Sequence, residues 1–259
     1  MTTLFVAALL LPGAVFGAAS DYPLEPMRPN LQDYPSLQNG ARLYVNYCLG
    51  CHSLQFQRYE RTADDLRIPH DVMLDNIILT NQSIGEHIST AMNRRAATNW
   101  FGAPPPDLTM VARVRGADWV YNFLKTFYLD DIRPLGVNNK VFPNVGMPHA
   151  LIGLQGVQRS ECIQVPQRAA NRGEMRDPLE PGRAITEEQC GHLVLEPGTG
   201  LYTPEEYDQA VYDISNFLYY VGEPTRLERH RLGIYVLLFL VILYAFAWLL
   251  GREYHKAVR

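Results

Sequence analysis

The sequence has no excess of basic charge, no internal repeat, and neither a P-loop nor a dinucleotide-binding fingerprint. Its 259 residues carry 23 Lys and Arg against 27 Asp and Glu, a net charge of −4, which argues against a nucleic-acid-binding surface. With 47% apolar and 19% charged residues, the composition excludes collagen-like, disordered and supercharged proteins. The length fits one or two folded domains.

The small net charge conceals two different regions. Residues 20–225 contain 17 basic and 25 acidic residues, a net charge of −8, whereas residues 226–259 contain six basic and two acidic residues, a net charge of +4. Acidic residues are concentrated in residues 155–215, which hold eleven Asp and Glu against five Arg. That surface either aids solubility or steers a basic partner toward the protein.

The basic region contains the longest apolar run, residues 232–250, which has no charge and no proline. As a helix its nineteen residues would span about 28 Å, close to the ~30 Å hydrocarbon core of a bilayer. Three basic residues flank each side, and Tyr235 and Trp248 lie near the ends, where interfacial aromatic residues belong. We expect residues 226–259 to form a transmembrane anchor with a short tail rather than a buried core helix.

A second apolar run, residues 4–19, ends in small residues and is typical of a secretory signal. Because Met1-Thr2-Thr3 lacks a basic residue, an uncleaved N-terminal anchor is the alternative. In both cases the sequence predicts an exported domain over residues 20–225.

The motif Cys48-Leu49-Gly50-Cys51-His52 is the C-x-x-C-H attachment sequence for c-type haem. Cysteines three apart on a helical turn point the same way and can form thioethers to the two haem vinyl groups. His52 would then supply the proximal imidazole. A redox C-x-x-C would need a βαβ pattern, and a zinc site would need a second closely spaced pair. We therefore predict one covalently attached haem c.

The other two cysteines, Cys162 and Cys190, are most simply a disulfide in an exported domain, with two free thiols as the alternative. The residues between them are rich in Pro, Gly, Arg and Glu and show no hydrophobic periodicity. We expect residues 155–202 to form an irregular insertion closed by this bond.

The remaining patterns predict helices, and thus an all-α, class I cytochrome c-like haem domain. Residues 36–47 place apolar side chains on one helical face and deliver the cysteines at the helix C-terminus. Residues 118–128 carry a second helical pattern. Thr203 and Glu206 form a capping box for a terminal helix that ends before Pro224.

The sixth iron ligand decides between electron transfer and ligand chemistry, because His/Met ligation closes the iron. Met147 is the first candidate, since Gly146 and Pro148 fix the backbone around it, and His149 is the alternative. The remaining candidates also include His70 and His87. Of the others, Met73, Met92 and Met110 are more typical of core filler, and Met175 and His192 lie in or just after the disulfide loop.

Several segments resemble the cytochrome c1 family, the haem subunits of the cytochrome bc1 complex. They are Cys48 to His52, APPPDLT at 103–109, ARVRGADWVYNFLKTFY at 112–128, VGMPHAL at 145–151 and FLYYVGEPTRLERHRLG at 217–233 followed by the span. The resemblance implies that Cys48 and Cys51 carry the haem, that His52 and Met147 ligate the iron, that Pro105 lines the pocket and that Arg115 lies near a propionate.

The resemblance also implies a function and a location. The chain would pass one electron from the Rieske iron–sulfur protein to a soluble or membrane-bound cytochrome c, within a dimeric complex that includes cytochrome b. It would turn over no substrate alone and would bind membrane lipid but no nucleic acid. It would lie in a bacterial inner membrane, with the haem domain in the periplasm and the C-terminus in the cytoplasm. The alternatives are an anchored haem subunit of a terminal oxidase and an open-site haem sensor or peroxidase.

Overall fold

The structure, a computed structural model, describes residues 22–79, 81–169, 173–180 and 182–257, so the expected signal segment, residues 1–19, lies outside the described residues. The helices there are α1 (Tyr34–Tyr47), α2 (Tyr59–Leu66), α3 (His70–Asn76), α4 (Arg94–Phe101), α5 (Val111–Val114), α6 (Ala117–Lys125), α7 (Ile152–Gln155), α8 (Pro204–Gly222) and α9 (Arg226–Ala257). The strands there are β1 (Leu54–Arg58), β2 (His87–Ile88), β3 (Phe127–Leu129), β4 (Val137–Asn139), β5 (Gln158–Pro166), β6 (Arg168–Ala169), β7 (Gly173–Glu174) and β8 (Thr186–Leu195).

Helices α1 and α8 pack together at the centre of the main core. The side chain of Asp33 caps α1 by accepting a hydrogen bond from the Ser36 amide, so the helix begins two residues before the predicted start. Gly40 permits the close approach, because a Cβ there would lie 2.1 Å from the carbonyl oxygen of Asp213 in α8. The hydroxyl of Ser36 donates to Asp213 at 2.7 Å. This packing fixes the helix that carries the cysteine motif.

Helix α8 begins with the predicted capping box, in which Thr203 accepts from the Glu206 amide and Glu206 accepts from the Thr203 amide. Its apolar face is buried as the periodicity predicts, at Tyr207, Val211, Ile214, Leu218 and Val221. The terminal helix was therefore predictable from its own sequence.

The described residues also contain strands, so the head is helical only in part and the expectation of an all-α domain does not hold. Strands β5 and β8 form an antiparallel hairpin in which Cys162 lies opposite Cys190, and these cysteines are joined by a disulfide. The described residues of the segment 155–202 therefore contain a hairpin, where the sequence predicts irregular structure. Both strands are largely exposed, and strands that bury neither face leave no hydrophobic alternation in the sequence.

The predicted helix over residues 118–128 is also shorter than expected. Helix α6 ends at Lys125, and β3 follows it and pairs with β4. Two hydrogen bonds join the beginning of β3 to the end of β4. The Thr126 hydroxyl donates to the Asn139 side chain, and the Lys140 amide donates to the Thr126 carbonyl. This small hairpin precedes the segment that carries Met147.

Helix α9 contains the apolar run and continues directly from the short connection after α8. Its 32 residues extend about 48 Å at 1.5 Å per residue, and its apolar side chains are exposed. Among the described residues it is the one helix that is long and apolar enough to cross a membrane. The predicted C-terminal span agrees with this helix.

Candidate haem site

The C-x-x-C-H motif occupies one tight turn at the C-terminal end of α1. Cys48 is the C-cap residue, and its amide donates to the Tyr44 carbonyl at 2.8 Å. The amides of Cys51 and His52 both donate back to the Cys48 carbonyl, at 3.0 and 2.8 Å. The Tyr44 hydroxyl then donates to the carbonyl of His52 at 2.6 Å. The two thiols and the imidazole are therefore held on a single turn whose backbone is fixed from inside the core.

The imidazole of His52 has one nitrogen engaged with the backbone. Its Nδ1 lies 2.7 Å from the carbonyl oxygen of Pro106, so this nitrogen carries the proton and donates, and Nε2 is the basic nitrogen. Burial lowers the pKa of His52, although the Pro106 carbonyl and the nearby Asp107 act in the opposite direction. The neutral imidazole is the form that binds a metal, and a backbone acceptor on the second nitrogen is the usual support for a histidine ligand.

The segment that contains Pro106 is itself tied to the chain just after the motif. The amide of Leu108 donates to the Ser53 carbonyl at 2.9 Å, and the amide of Gln55 donates to Asp107 at 2.7 Å. These bonds hold the predicted P-P-D-L segment beside the motif, as a haem pocket requires.

A cavity of about 240 Å³ opens beside Cys51. Pro105, which the resemblance assigns to the haem pocket, lines this cavity together with Asp107. Two further residues, Met92 and Arg94, also line the cavity, and the sequence predicts neither of them. Met92 lies in a stretch whose pattern is typical of core filler. The complete lining is Cys51, Ser53, Gln55, Thr90, Met92, Arg94, Ala97, Pro104, Pro105 and Asp107.

The two motif cysteines are not activated thiols. Burial, together with the proximity of Cys51, raises the pKa of Cys48 to about 12, and burial also raises the pKa of Cys51. A redox C-x-x-C pair works through a thiolate of lowered pKa. The raised pKa values of both thiols therefore argue against disulfide exchange as the role of this pair.

Met147 lies in a second, smaller apolar cluster, against the side chains of Phe127, Val137 and Val145. It is not among the residues that line the cavity beside Cys51. The two regions meet through α4, whose first turn lines the cavity and whose last residue, Phe101, faces the Met147 segment. A Cβ on Gly146 would lie 3.2 Å from the Phe101 carbonyl oxygen, so glycine permits this contact.

His149, the alternative distal ligand, is engaged elsewhere. Its ring stacks on Phe127 with centroids 4.9 Å apart, and its Nε2 lies 2.7 Å from Oε1 of Gln155. Gln155 in turn donates to the Lys125 carbonyl at 3.1 Å. Burial lowers the pKa of His149 to about 4, and the Gln155 bond opposes this shift only in part. Because Nε2 of His149 is hydrogen-bonded to Gln155 and its ring is stacked on Phe127, the geometry favours Met147 over His149 as the ligand.

The other predicted residues lie in varied environments. Arg115 is exposed, and its guanidinium carbon lies 5.3 Å from the ring centroid of Trp119 rather than in the cavity lining. Met73 is fully buried in the main core, as a filler residue should be. Met110 and Met175 are exposed. The disulfide between Cys162 and Cys190 is on the exposed hairpin, outside the cavity.

A buried histidine whose Nδ1 is hydrogen-bonded to the backbone, two thiols on the same turn, a cavity beside them and a long apolar helix define a class of protein. It is a membrane-anchored electron carrier with a c-type haem.

Comparison with known proteins identifies the family. Residues 199–258 match the model of the Cytochrome C1 family. The chain is 48% identical over 250 residues to cytochrome c1 of Allochromatium vinosum, covering 96% of both chains. It is 38% identical over 256 residues to a protein named ammonia monooxygenase gamma subunit in Nitrosomonas europaea, covering 98% of this chain and 97% of that one. It is 25% identical over 234 residues to cytochrome c1 of Rhodospirillum rubrum, covering 82% and 78%. The chain belongs to the cytochrome c1 family.

Membership confirms the main functional predictions. The protein is an electron-transfer haem subunit of the cytochrome bc1 complex, with cytochrome b and the Rieske protein as fellow subunits. It carries a covalently bound c-type haem. The C-terminal helix and the family together make it a protein of the inner membrane.

Proposed function

We propose that Cys48 and Cys51 bind the haem through thioethers, that Nε2 of His52 is the proximal ligand and that Met147 is the distal ligand. The observation that carries this proposal is the bond between His52 Nδ1 and the Pro106 carbonyl, because it leaves Nε2 as the basic nitrogen. When bound, a His/Met-ligated haem accepts and donates one electron at a raised potential.

The protein keeps the reduction potential of the haem high by excluding water from the haem site and by fixing the positions of the two iron ligands. Pro104, Pro105 and Asp107 form one wall of the cavity. The stacked and edge-to-face rings of Trp119, Phe123 and Phe127 lead to the Met147 cluster. We place Arg115 near a haem propionate on the resemblance alone. Arg94, which lines the cavity, is the competing cation.

We also propose a membrane topology and partners for the chain. The haem domain, residues 20–225 after a signal over 1–19, lies in the periplasm with 155–202 as an insertion, and the tail of 226–259 lies in the cytoplasm. The complex is dimeric. The electron arrives from the Rieske protein and leaves to a soluble or membrane-bound cytochrome c. The predicted signal and the extracytoplasmic attachment of c-type haem support this orientation, since three basic residues on each side of the span give no preference.

Replacing the two cysteine pairs separately tests the attachment site. Cys48→Ser combined with Cys51→Ser should abolish covalent haem, because no thioether can form, whereas Cys162→Ser combined with Cys190→Ser should retain it. The measurement is haem staining after denaturing electrophoresis, with a pyridine haemochrome spectrum for quantity. Covalent haem in the first variant, or its loss in the second alone, would refute the assignment.

The acidic hairpin provides the test of the acceptor. Glu187 and Glu188 are exposed on β8, and a negative face accelerates encounter with a basic acceptor at low salt. We expect the bimolecular rate with a basic cytochrome c to fall about tenfold or more as ionic strength rises.

Replacing Glu187 and Glu188 by glutamine should weaken the dependence of the bimolecular rate on ionic strength. The matched control is Glu253→Gln in the C-terminal tail, which should leave it unchanged. A salt-independent rate for the unaltered protein would rule out steering by this face.

A further inference from the structure

The segment that carries Met147 is held by polar contacts from the hairpin of β3 and β4, and these contacts converge on Asn144. The Nη1 atom of Arg133 donates to Oδ1 of Asn144 at 3.1 Å, and its Nη2 atom donates to the carbonyl oxygen of Asn144 at 3.1 Å. From the neighbouring strand, Oδ1 of Asn138 accepts the Asn144 amide at 2.8 Å. Asn144 thus has its amide, its carbonyl and its side-chain oxygen all engaged.

The backbone at Asn144 explains why this fixation matters. Its φ is +63°, in the left-handed region that residues other than glycine rarely adopt and that asparagine tolerates best. The residue turns the chain just before Val145, Gly146 and Met147. A turn that is unfavourable in isolation persists when its surroundings fix it. The guanidinium of Arg133 fixes this turn by donating hydrogen bonds to two oxygen atoms of Asn144.

The supports of Asn144 are themselves fixed. The Arg133 amide donates to the Asp130 carbonyl and the Gly136 amide donates to the Arg133 carbonyl, which closes the turn between β3 and β4. Asp130 also accepts from the side chain of Asn138 at 2.9 Å. The Nε atom of Arg133 is buried without a hydrogen-bond partner within the described part of the chain, so the contacts to Asn144 are what orient its guanidinium.

We infer that Arg133 is a positioning residue for the distal side of the haem site: by clamping Asn144 in its left-handed turn, it holds Met147 against the iron. This inference rests on the proposed ligation by Met147. Arg133 touches neither the haem nor the iron in this account. Its contribution is to reduce how often the Met147 segment moves away.

Cyanide binding to the ferric haem of the full chain in detergent measures that motion, because cyanide must wait for Met147 to leave. At saturating cyanide the rate reports the opening of the segment. We expect Arg133→Ala to raise this rate at least about tenfold, equivalent to ~1.4 kcal/mol, and Arg133→Lys, which keeps the charge but not the fork, to give an intermediate value. The long-wavelength charge-transfer band of methionine-ligated ferric haem should also disappear at a lower temperature than in the unaltered protein.

Two controls separate positioning from general destabilisation. Thr203→Ala removes the cap of α8 and should lower the denaturation midpoint without changing the cyanide rate. Arg183→Ala removes an exposed arginine of the hairpin insertion, paired only with Glu180 among the described residues, and should change neither quantity.

If Arg133→Ala yields no haem-loaded protein, Asn144→Gly tests the same contact, because glycine accepts the positive φ while the Oδ1 acceptor is lost. We expect a rate increase smaller than that of Arg133→Ala. Unchanged cyanide rates in Arg133→Lys and Asn144→Gly, or an equal acceleration by Thr203→Ala, would overturn the inference. A missing methionine band in the unaltered protein would overturn the proposed ligation and this inference with it, whereas a normal band with unaffected variants would overturn the inference alone.

Discussion

The two sides of the haem site are built in different ways. The proximal side is supported by the main core: α1 packs on α8 through Gly40, and the motif turn is closed by backbone bonds to Cys48. The distal side has a small apolar cluster around Met147 and depends on side-chain hydrogen bonds at Asn144 and His149.

This difference has consequences for stability and for tuning. Burial of apolar surface stabilises the proximal side together with the whole domain, so it should open only when the domain unfolds. The few side-chain hydrogen bonds of the distal side can break locally while the rest of the domain stays folded. The distal ligand sets the redox potential of the haem. The comparison therefore predicts that global unfolding follows the proximal side, while ligand loss and redox changes follow the distal side.

The largest expected effect is on the proximal side. Gly40→Ala would place a Cβ 2.1 Å from the Asp213 carbonyl oxygen, so α1 and α8 must separate. We expect a loss of about 3 kcal/mol in the free energy of unfolding, at the upper end for overpacked cores. The measurement is chemical denaturation of the haem-loaded protein followed by circular dichroism.

The control for Gly40 is Gly153→Ala in α7, where an added Cβ meets no described atom within 4 Å and φ is not positive. That variant should be nearly neutral. If Gly40→Ala were as stable as Gly153→Ala, the close approach of α1 and α8 would not support the proximal side.

A smaller and more local effect is expected on the distal side. Gln155→Ala removes the partner of His149 and leaves a buried imidazole nitrogen without a hydrogen bond, which costs about 1–2 kcal/mol. We expect the charge-transfer band to disappear at a lower temperature, well below global unfolding, because the segment after Met147 loosens first. The measurement is absorbance of the ferric protein during heating.

The matched control is Gln38→Ala on α1, outside the apolar cluster around Met147, which removes a bond of 2.8 Å from the glutamine side chain to the Leu66 carbonyl. It should leave the temperature at which the band disappears unchanged. Equal effects from both glutamines would mean that the distal side is not an independent unit.

The proximal side was largely predictable because its signals are local. The five residues of the attachment motif are contiguous, the preceding helix has clear periodicity, and the capping box at Thr203 marks the start of α8. The apolar run in α9 is equally direct. Only the support of His52 by the carbonyl of Pro106, 54 residues further along the chain, could not be deduced, since backbone acceptors leave no trace in residue type.

The distal side was less predictable because its supports are non-local. Proline and glycine around Met147 indicate a fixed backbone. No sequence pattern predicts that Arg133 binds Asn144, eleven residues further on, or that the ring of His149 stacks on Phe127. The hairpin of β5 and β8 was missed for a different reason, since its exposed strands bury no face. The sequence around Met92 is typical of core filler, but Met92 lines the cavity beside Cys51.

The ferric absorption spectrum of two methionine variants is the sharpest test of Met147 as the distal ligand. Met147→Leu keeps the volume but removes the sulfur, and Met92→Leu makes the same change in the cavity wall. We expect Met147→Leu to abolish the long-wavelength charge-transfer band and to lower the midpoint potential by on the order of 0.1 V or more, within the range of about 0.8 V that axial ligands span. Met92→Leu should retain both. A band that survives in Met147→Leu and disappears in Met92→Leu would contradict the account.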